Sequence, residues 1–135
     1  MLGKILIIED DPAVRRCYER LFQRAGYSPR LEPSGAAAEK NLDHHRDARV
    51  VILDYRMPGP NGLEVLRSLR RRDFDAACLL VTAFAVPEIL EEARRLGIRR
   101  VFSKPVDISK LLKEVEAILL SGGSRENGSS RPAEP

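Results

Sequence analysis

Residues 50–62 read Val-Val-Ile-Leu-Asp-Tyr-Arg-Met-Pro-Gly-Pro-Asn-Gly, and no other stretch limits the fold so strongly. Four apolar residues in a row, three of them β-branched, describe a strand covered on both faces. Asp54 follows at once, and then a turn-forming run through which no strand continues. A strand buried on both faces belongs to a parallel sheet held between helix layers. In such a sheet, ligands bind outside the carboxyl ends of the strands, which is where Asp54 stands. On this stretch alone Asp54 is as much a loop cap as a chemical group. Other stretches decide between the two.

The same pattern recurs along the chain. Lys4-Ile5-Leu6-Ile7-Ile8 is a second doubly buried run and ends in Glu9-Asp10-Asp11. Asp11 and Pro12 suit a helix cap and first turn. Val14, Tyr18, Leu21 and Ala25, widened by Phe22, give that helix its apolar face before Gly26 closes it. Residues 28–32 make the weakest strand, and Pro29 restricts it to a sheet edge. Ser34 caps a short helix to Leu42, with His44 and His45 read as surface residues near its end. Leu63, Leu66 and Leu69 mark a third helix, and residues 76–81 a fourth buried strand that ends in Thr82-Ala83-Phe84. Pro87 opens a helix with Ile89, Leu90, Ala93 and Leu96 on its apolar face. Residues 98–103 form the last strand before Lys104-Pro105, and Asp107 caps a helix carrying Leu111, Leu112, Val115, Ile118 and Leu119.

Five strand–helix units in succession predict a doubly wound, flavodoxin-like α/β fold with helices on both faces of a five-stranded parallel sheet. The edge position of the second strand favours the order 2-1-3-4-5. Residues 1–120 are read as one domain. Residues 121–135, rich in Ser, Gly and Pro without a large apolar side chain, are read as a flexible tail or linker. A length of 135 residues and an apolar fraction of 43% suit a single domain with an aliphatic core. No run reaches membrane-spanning length and the start lacks a secretory signal, so a cytoplasmic setting with no membrane contact is expected. Cys17 and Cys78 are read as buried thiols. The net charge of +3 comes with basic clusters at 70–72, 94–95 and 99–100. Acids lie near most of them, so they are read as solvated helix faces and not as a nucleic-acid surface.

With that strand order, Glu9, Asp10, Asp54, Thr82 and Lys104 meet around one crevice. Carboxylates gathered without a partner repel one another and raise each other's pKa. A hard divalent cation removes the conflict, and an oxygen-only donor set points to Mg2+. A metal held so takes phosphate readily. Lys104 and Thr82 supply a cation and a hydroxyl for its oxygens, and Asp54 is placed as a nucleophile toward phosphorus.

Four pieces together carry a family resemblance. They are Ile-Leu-Ile-Ile-Glu-Asp-Asp at 5–11, Leu-Asp-Tyr-Arg-Met-Pro-Gly-Pro-Asn-Gly at 53–62, Leu-Val-Thr-Ala at 80–83 and Lys-Pro at 104–105. In this order and spacing the chain resembles the receiver domain of two-component response regulators. The resemblance implies that a histidine kinase or histidine phosphotransfer protein phosphorylates Asp54. It implies that Glu9 and Asp10 hold Mg2+ with Asp54 and the Arg56 backbone carbonyl, Asp10 directly and Glu9 through water. Thr82 would bond the phosphoryl group, Lys104 would pair with it, and the Lys104-Pro105 bond would be cis. An output partner would be contacted through the surface of the fourth helix, fifth strand and fifth helix. Two positions on that surface depart from the family pattern. Val101 stands where an aromatic is usual, and Arg99-Arg100 where acids are frequent. Phe84 is therefore the candidate to carry the switching signal.

The competing enzyme reading is a Mg2+-dependent phosphohydrolase with an aspartyl-phosphate intermediate. Such enzymes usually place a second acid two residues after the nucleophile, and here that residue is Arg56. A structural module with a decayed site is disfavoured by the presence of all five polar residues. A flavin protein is disfavoured because no phosphate-cradling loop follows the first strand.

Overall fold

The computed structural model describes residues 4–121. Five strands alternate with five helices: β1 (Ile5–Ile8), α1 (Pro12–Arg24), β2 (Arg30–Glu32), α2 (Gly35–Lys40), β3 (Val50–Asp54), α3 (Gly62–Arg71), β4 (Ala77–Thr82), α4 (Pro87–Arg95), β5 (Arg100–Ser103) and α5 (Ile108–Ser121). A short 3-10 turn, Leu42–His45, follows α2. All neighbouring strands are parallel, in the order β2-β1-β3-β4-β5, which is the expected doubly wound sheet. The predicted tail falls outside the described residues from 122 onward, and Ser121 still belongs to α5.

Strand alternation divides the core into two layers. Leu6, Ile8, Val51, Leu53, Cys78, Leu80 and Val101 face α2, α3 and α4, where Ala38, Leu66, Leu69 and Ala93 cover them. Ile5, Ile7, Val50, Ile52, Leu79, Val81 and Phe102 face α1 and α5, against Tyr18, Phe22, Leu111, Val115 and Ile118. Consecutive strand residues therefore serve opposite layers. This explains why the strand runs are apolar throughout and not alternating.

Several expectations need correction. α1 docks through Tyr18 and Phe22, one turn apart, whereas Val14 is 36% exposed and Leu21 only half-buried. Val14 lies in the first turn, before the helix reaches the sheet. Cys17 is exposed, since it sits one residue off the Tyr18 line, and Cys78 alone is a buried thiol. His45 is also buried, its Nε2 2.7 Å from Glu32 Oε2, while His44 is exposed. The 3-10 turn brings His45 back to the buried Glu32 carboxylate, to which Asn41 Nδ2 donates as well, at 3.1 Å. A buried carboxylate requires such partners. β5 begins at Arg100, two residues later than expected, although Ile98 is buried and Arg99 N–H already donates to the Cys78 carbonyl.

Each basic cluster has residues with partners inside the domain. Arg94 and Arg95 pair with Glu91, and Arg99 and Arg100 with Glu114. Arg70 donates to the carbonyls of Phe74 and Ala76, pinning the turn after α3. Among the described residues, no helix is long and apolar enough to cross a membrane.

Candidate functional site

In the sheet order, the winding direction reverses between β1 and β3, and the crevice opens there at the carboxyl edge. Register sets the levels around it. Ile8 pairs with Leu53, so Glu9, the next residue, stands level with Asp54. Asp54 pairs with Val81 and Thr82 with Ser103, which puts Thr82 one step further out and Lys104 two. All five polar residues expected from the sequence thus meet at one edge.

Their surroundings differ. Asp54 is 6% exposed, and Lys104 Nζ lies 3.2 Å from each of its carboxylate oxygens. Only Oδ2 receives a hydrogen bond from that ammonium. Oδ1 is buried with none. Glu9 is buried as well, and its Oε2 accepts from Asp11 N–H at 3.0 Å. Burial pushes the Glu9 carboxyl up to about 7, helped by the charges of Asp54 and Asp10 and opposed by the Asp11 amide and Lys104. Asp10 is half-buried, and among the described residues no hydrogen bond reaches its carboxylate.

One carboxylate oxygen from each of Glu9, Asp10 and Asp54 lies within 4.8 Å of the other two. Three acids face a single ammonium here, and one buried oxygen has no donor. This donor set, all hard oxygen, fits Mg2+, which binds through a few carboxylates and keeps some of its waters. Cys and His, which would favour softer metals, are absent from the cluster.

Thr82 is buried, and its Oγ accepts from Phe84 N–H at 3.0 Å, leaving the hydroxyl proton to donate. Phe84 is 52% exposed, with the Arg56 guanidinium 5.1 Å from its ring centroid. This contact bridges the loops after β3 and β4 across the mouth of the crevice. The Arg56 side chain thus joins the site as well, where the sequence points only to its backbone carbonyl. Arg15 was missed altogether, although it bonds the carbonyls of Glu9 and Asp10. A signal for it exists: it is a cation near the start of a helix, where the macrodipole disfavours one.

The loop after Asp54 is shaped by close backbone approach. Gly62 N–H donates to Tyr55 O at 2.7 Å, and a Cβ on Gly62 would lie 2.6 Å from Asp54 O. Asn61 caps α3 in a reciprocal capping box with Glu64. The Lys104-Pro105 peptide is cis, as the resemblance implied.

The remaining expected residues lie away from the crevice. Val101 is buried toward α4, and Phe102 points to the opposite layer. Glu114 of α5 receives Arg99 Nε at 2.9 Å and lies 3.6 Å from Arg100, whose guanidinium sits 5.0 Å from the Phe102 ring centroid.

Comparisons with known proteins agree with this geometry. The family described as the response regulator receiver domain matches residues 5–116. Sporulation initiation phosphotransferase F of Bacillus subtilis (strain 168) is 29% identical over 119 residues, 88% of this chain and 95% of that protein. The uncharacterized transcriptional regulatory protein YkoG of the same organism is 33% identical over 129 residues. That alignment takes in 91% of this chain but only 54% of the larger relative. Among solved structures, response regulator TrrA from Thermotoga maritima, in complex with Mg2+-BeF, superposes with a TM-score of 0.74 at 27% identity. The overlap covers 86% of this chain and 98% of that one. A family match from the first residue of β1 well into α5, on this sheet order, places the chain in the response regulator receiver domain family of two-component signalling.

Proposed function

We propose that this chain is phosphorylated on Asp54 by a histidine kinase or histidine phosphotransfer protein, with Mg2+, and so controls an output partner. The observation that carries this reading is the buried Asp54 carboxylate, with one oxygen on Lys104 and the other without a hydrogen bond, inside a three-carboxylate cluster. A carboxylate oxygen attacks phosphorus, the bond from phosphorus to the donor nitrogen breaks, and its electron pair stays on the imidazole. Asp10 and Asp54 would hold the metal directly, Glu9 through water, and the Arg56 carbonyl would add a neutral donor. When bound, Mg2+ neutralises charge on the transferring phosphoryl oxygens. Lys104 pairs with the phosphoryl group and Thr82 donates to it. The Mg2+-BeF complex of TrrA supports this reading by likeness.

Residues 1–121 act as the receiver unit, with 122–135 a tail or linker. The setting is cytoplasmic. The output partner docks on α4, β5 and α5, where Arg99 and Arg100 set a surface unlike the usual one and Val101 lies buried beneath it.

The test is incubation with a small acyl phosphate, followed by intact mass measurement. One added phosphate is expected with Mg2+ and none when the metal is chelated. An adduct indifferent to chelation would contradict the metal's role. Release of many equivalents of phosphate from a simple phosphoester would favour the phosphohydrolase instead.

A further inference from the structure

The chain leaves β1 through Glu9, Asp10 and Asp11, and hydrogen bonds hold this exit from several sides. Glu9 N–H donates to the Glu32 carbonyl at 3.0 Å, and Asp11 N–H to Glu9 Oε2 at 3.0 Å. Asp11 Oδ1 accepts from Ala13 and Val14 N–H at 2.8 and 3.3 Å, capping α1. The carbonyls of Glu9 and Asp10 go to one side chain. Arg15 Nη1 donates to Glu9 O at 2.8 Å and to Asp10 O at 3.3 Å.

We propose that Arg15 is a positioning residue for the metal site. By engaging both carbonyls it fixes the turn in which the Glu9 and Asp10 carboxylates converge on Asp54, without itself touching metal or phosphoryl group. This inference rests on the reading of the cluster as a Mg2+ site.

Three physical points support it. Adjacent acids facing a third repel one another, and an exit loop held less firmly would relieve that repulsion by moving outward. Arg15 resists this through charge-assisted bonds to backbone, not to the carboxylates, which stay available as ligands. Second, backbone carbonyls are themselves hard donors for a divalent cation. Occupying those of Glu9 and Asp10 leaves the carboxylates as what this segment offers a metal. Third, a cation near the start of α1 opposes the helix macrodipole, so its placement there calls for a specific partner. The two carbonyls are that partner.

The sign of the effect separates positioning from simple electrostatics. Removing a positive charge beside a dication site strengthens cation binding through space. Removing a positioning residue weakens it. The experiment is calorimetric titration with Mg2+ alone on wild type, Arg15→Ala, Arg15→Lys and Arg16→Ala. Arg16 is exposed on the same helix and removes the same charge. Arg15→Ala should bind about ten-fold more weakly, the usual effect of losing a residue that orients a ligand. Arg15→Lys, which keeps the charge on a shorter side chain without the Nη1 that meets both carbonyls, should fall between it and wild type, and Arg16→Ala should match wild type. Metal-free Arg15→Ala should also show displaced amide shifts at residues 9–11. Binding by Arg15→Ala as tight as wild type, or tighter, overturns the proposal. If that variant does not fold, Arg15→Lys decides by the same criterion. Wild type and Arg16→Ala that both take up no Mg2+ would instead remove the metal-site reading, and this inference with it.

Discussion

Glu9 and Asp10 are neighbours in the chain but unequal in the crevice. Glu9 is buried and already accepts the Asp11 amide, whereas Asp10 is half-buried with its oxygens open. Asp10→Ala should therefore weaken Mg2+ binding more than Glu9→Ala, whose effect should be about ten-fold. Affinities ranked the other way would reverse the assignment of direct and water-mediated roles. Glu9 also sets a pH dependence. Its carboxyl is raised from 4.5 to about 7, so between these values the folded chain keeps a proton that the unfolded chain releases. Its contribution to stability is full below about 4.5 and is lost as pH rises through about 7. Mg2+ favours the anion, so binding below that upper value should release a proton, and apparent affinity should rise with pH and then level off. Calorimetry in two buffers of different ionisation heat measures the release, and Glu9→Gln should abolish it. The two thiols differ just as clearly. Cys17 is exposed, and burial pushes Cys78 up to about 12, so a thiol reagent should modify only Cys17 in the native protein. Rapid double modification would mean that β4 opens readily. Asp54, Asp10, Thr82 and Lys104 were legible because each sits at a strand end recognisable from its own apolar run. Arg15 and His45 were not, since each finds its partner only after the chain has turned.

At the scale of elements, caps and loops explain more than propensity does. α1 and α4 are followed by Gly26 and Gly97 at φ 96° and 74°, whereas α3 is followed by Asp73 at φ 64°. An L side chain in that region is strained, so Asp73→Gly should stabilise the fold by about 0.5–1 kcal/mol, read from the denaturant midpoint. A lower midpoint would show that the aspartate makes a compensating contact. The loop from Ala83 to Pro87 has the larger functional consequence. Thr82 Oγ now accepts from Phe84 N–H, and a hydroxyl that turns to a phosphoryl group on Asp54 gives up that geometry. Val101 is small, β-branched and buried, so it cannot swing as an aromatic would. Switching should therefore run through Phe84 and the start of α4. Amide shifts with and without a beryllium fluoride adduct, in wild type and Phe84→Ala, measure this. Shifts along α4 and β5 should be curtailed in the variant, and unchanged shifts would exclude Phe84 as the relay.

The described residues form one sheet with a layer of helices on each side, and their legibility follows from that plan. Parallel crossovers are right-handed, and the helices must cover both faces, so the order of the elements restricts the topology to a few candidates. Pro29 points to an edge for β2, and β2 is an edge strand, although it begins at Arg30 and Pro29 lies just before it. The edge crevice follows from the same plan, because the reversal between β1 and β3 puts Glu9 level with Asp54. Contacts across that plan were not legible, such as Arg56 on Phe84 or Arg99 and Arg100 on Glu114. They depend on side-chain reach between elements distant in the chain, which periodicity does not report. Everything at this crevice turns on Asp54 receiving the phosphoryl group. Wild type and Asp54→Asn should be treated side by side with acyl phosphate and Mg2+, reduced with borohydride, and mapped by peptide mass. Wild type should show one added phosphate and, after reduction, homoserine at position 54, while Asp54→Asn should show neither. An undiminished adduct in Asp54→Asn, or a reduced residue elsewhere, would contradict it.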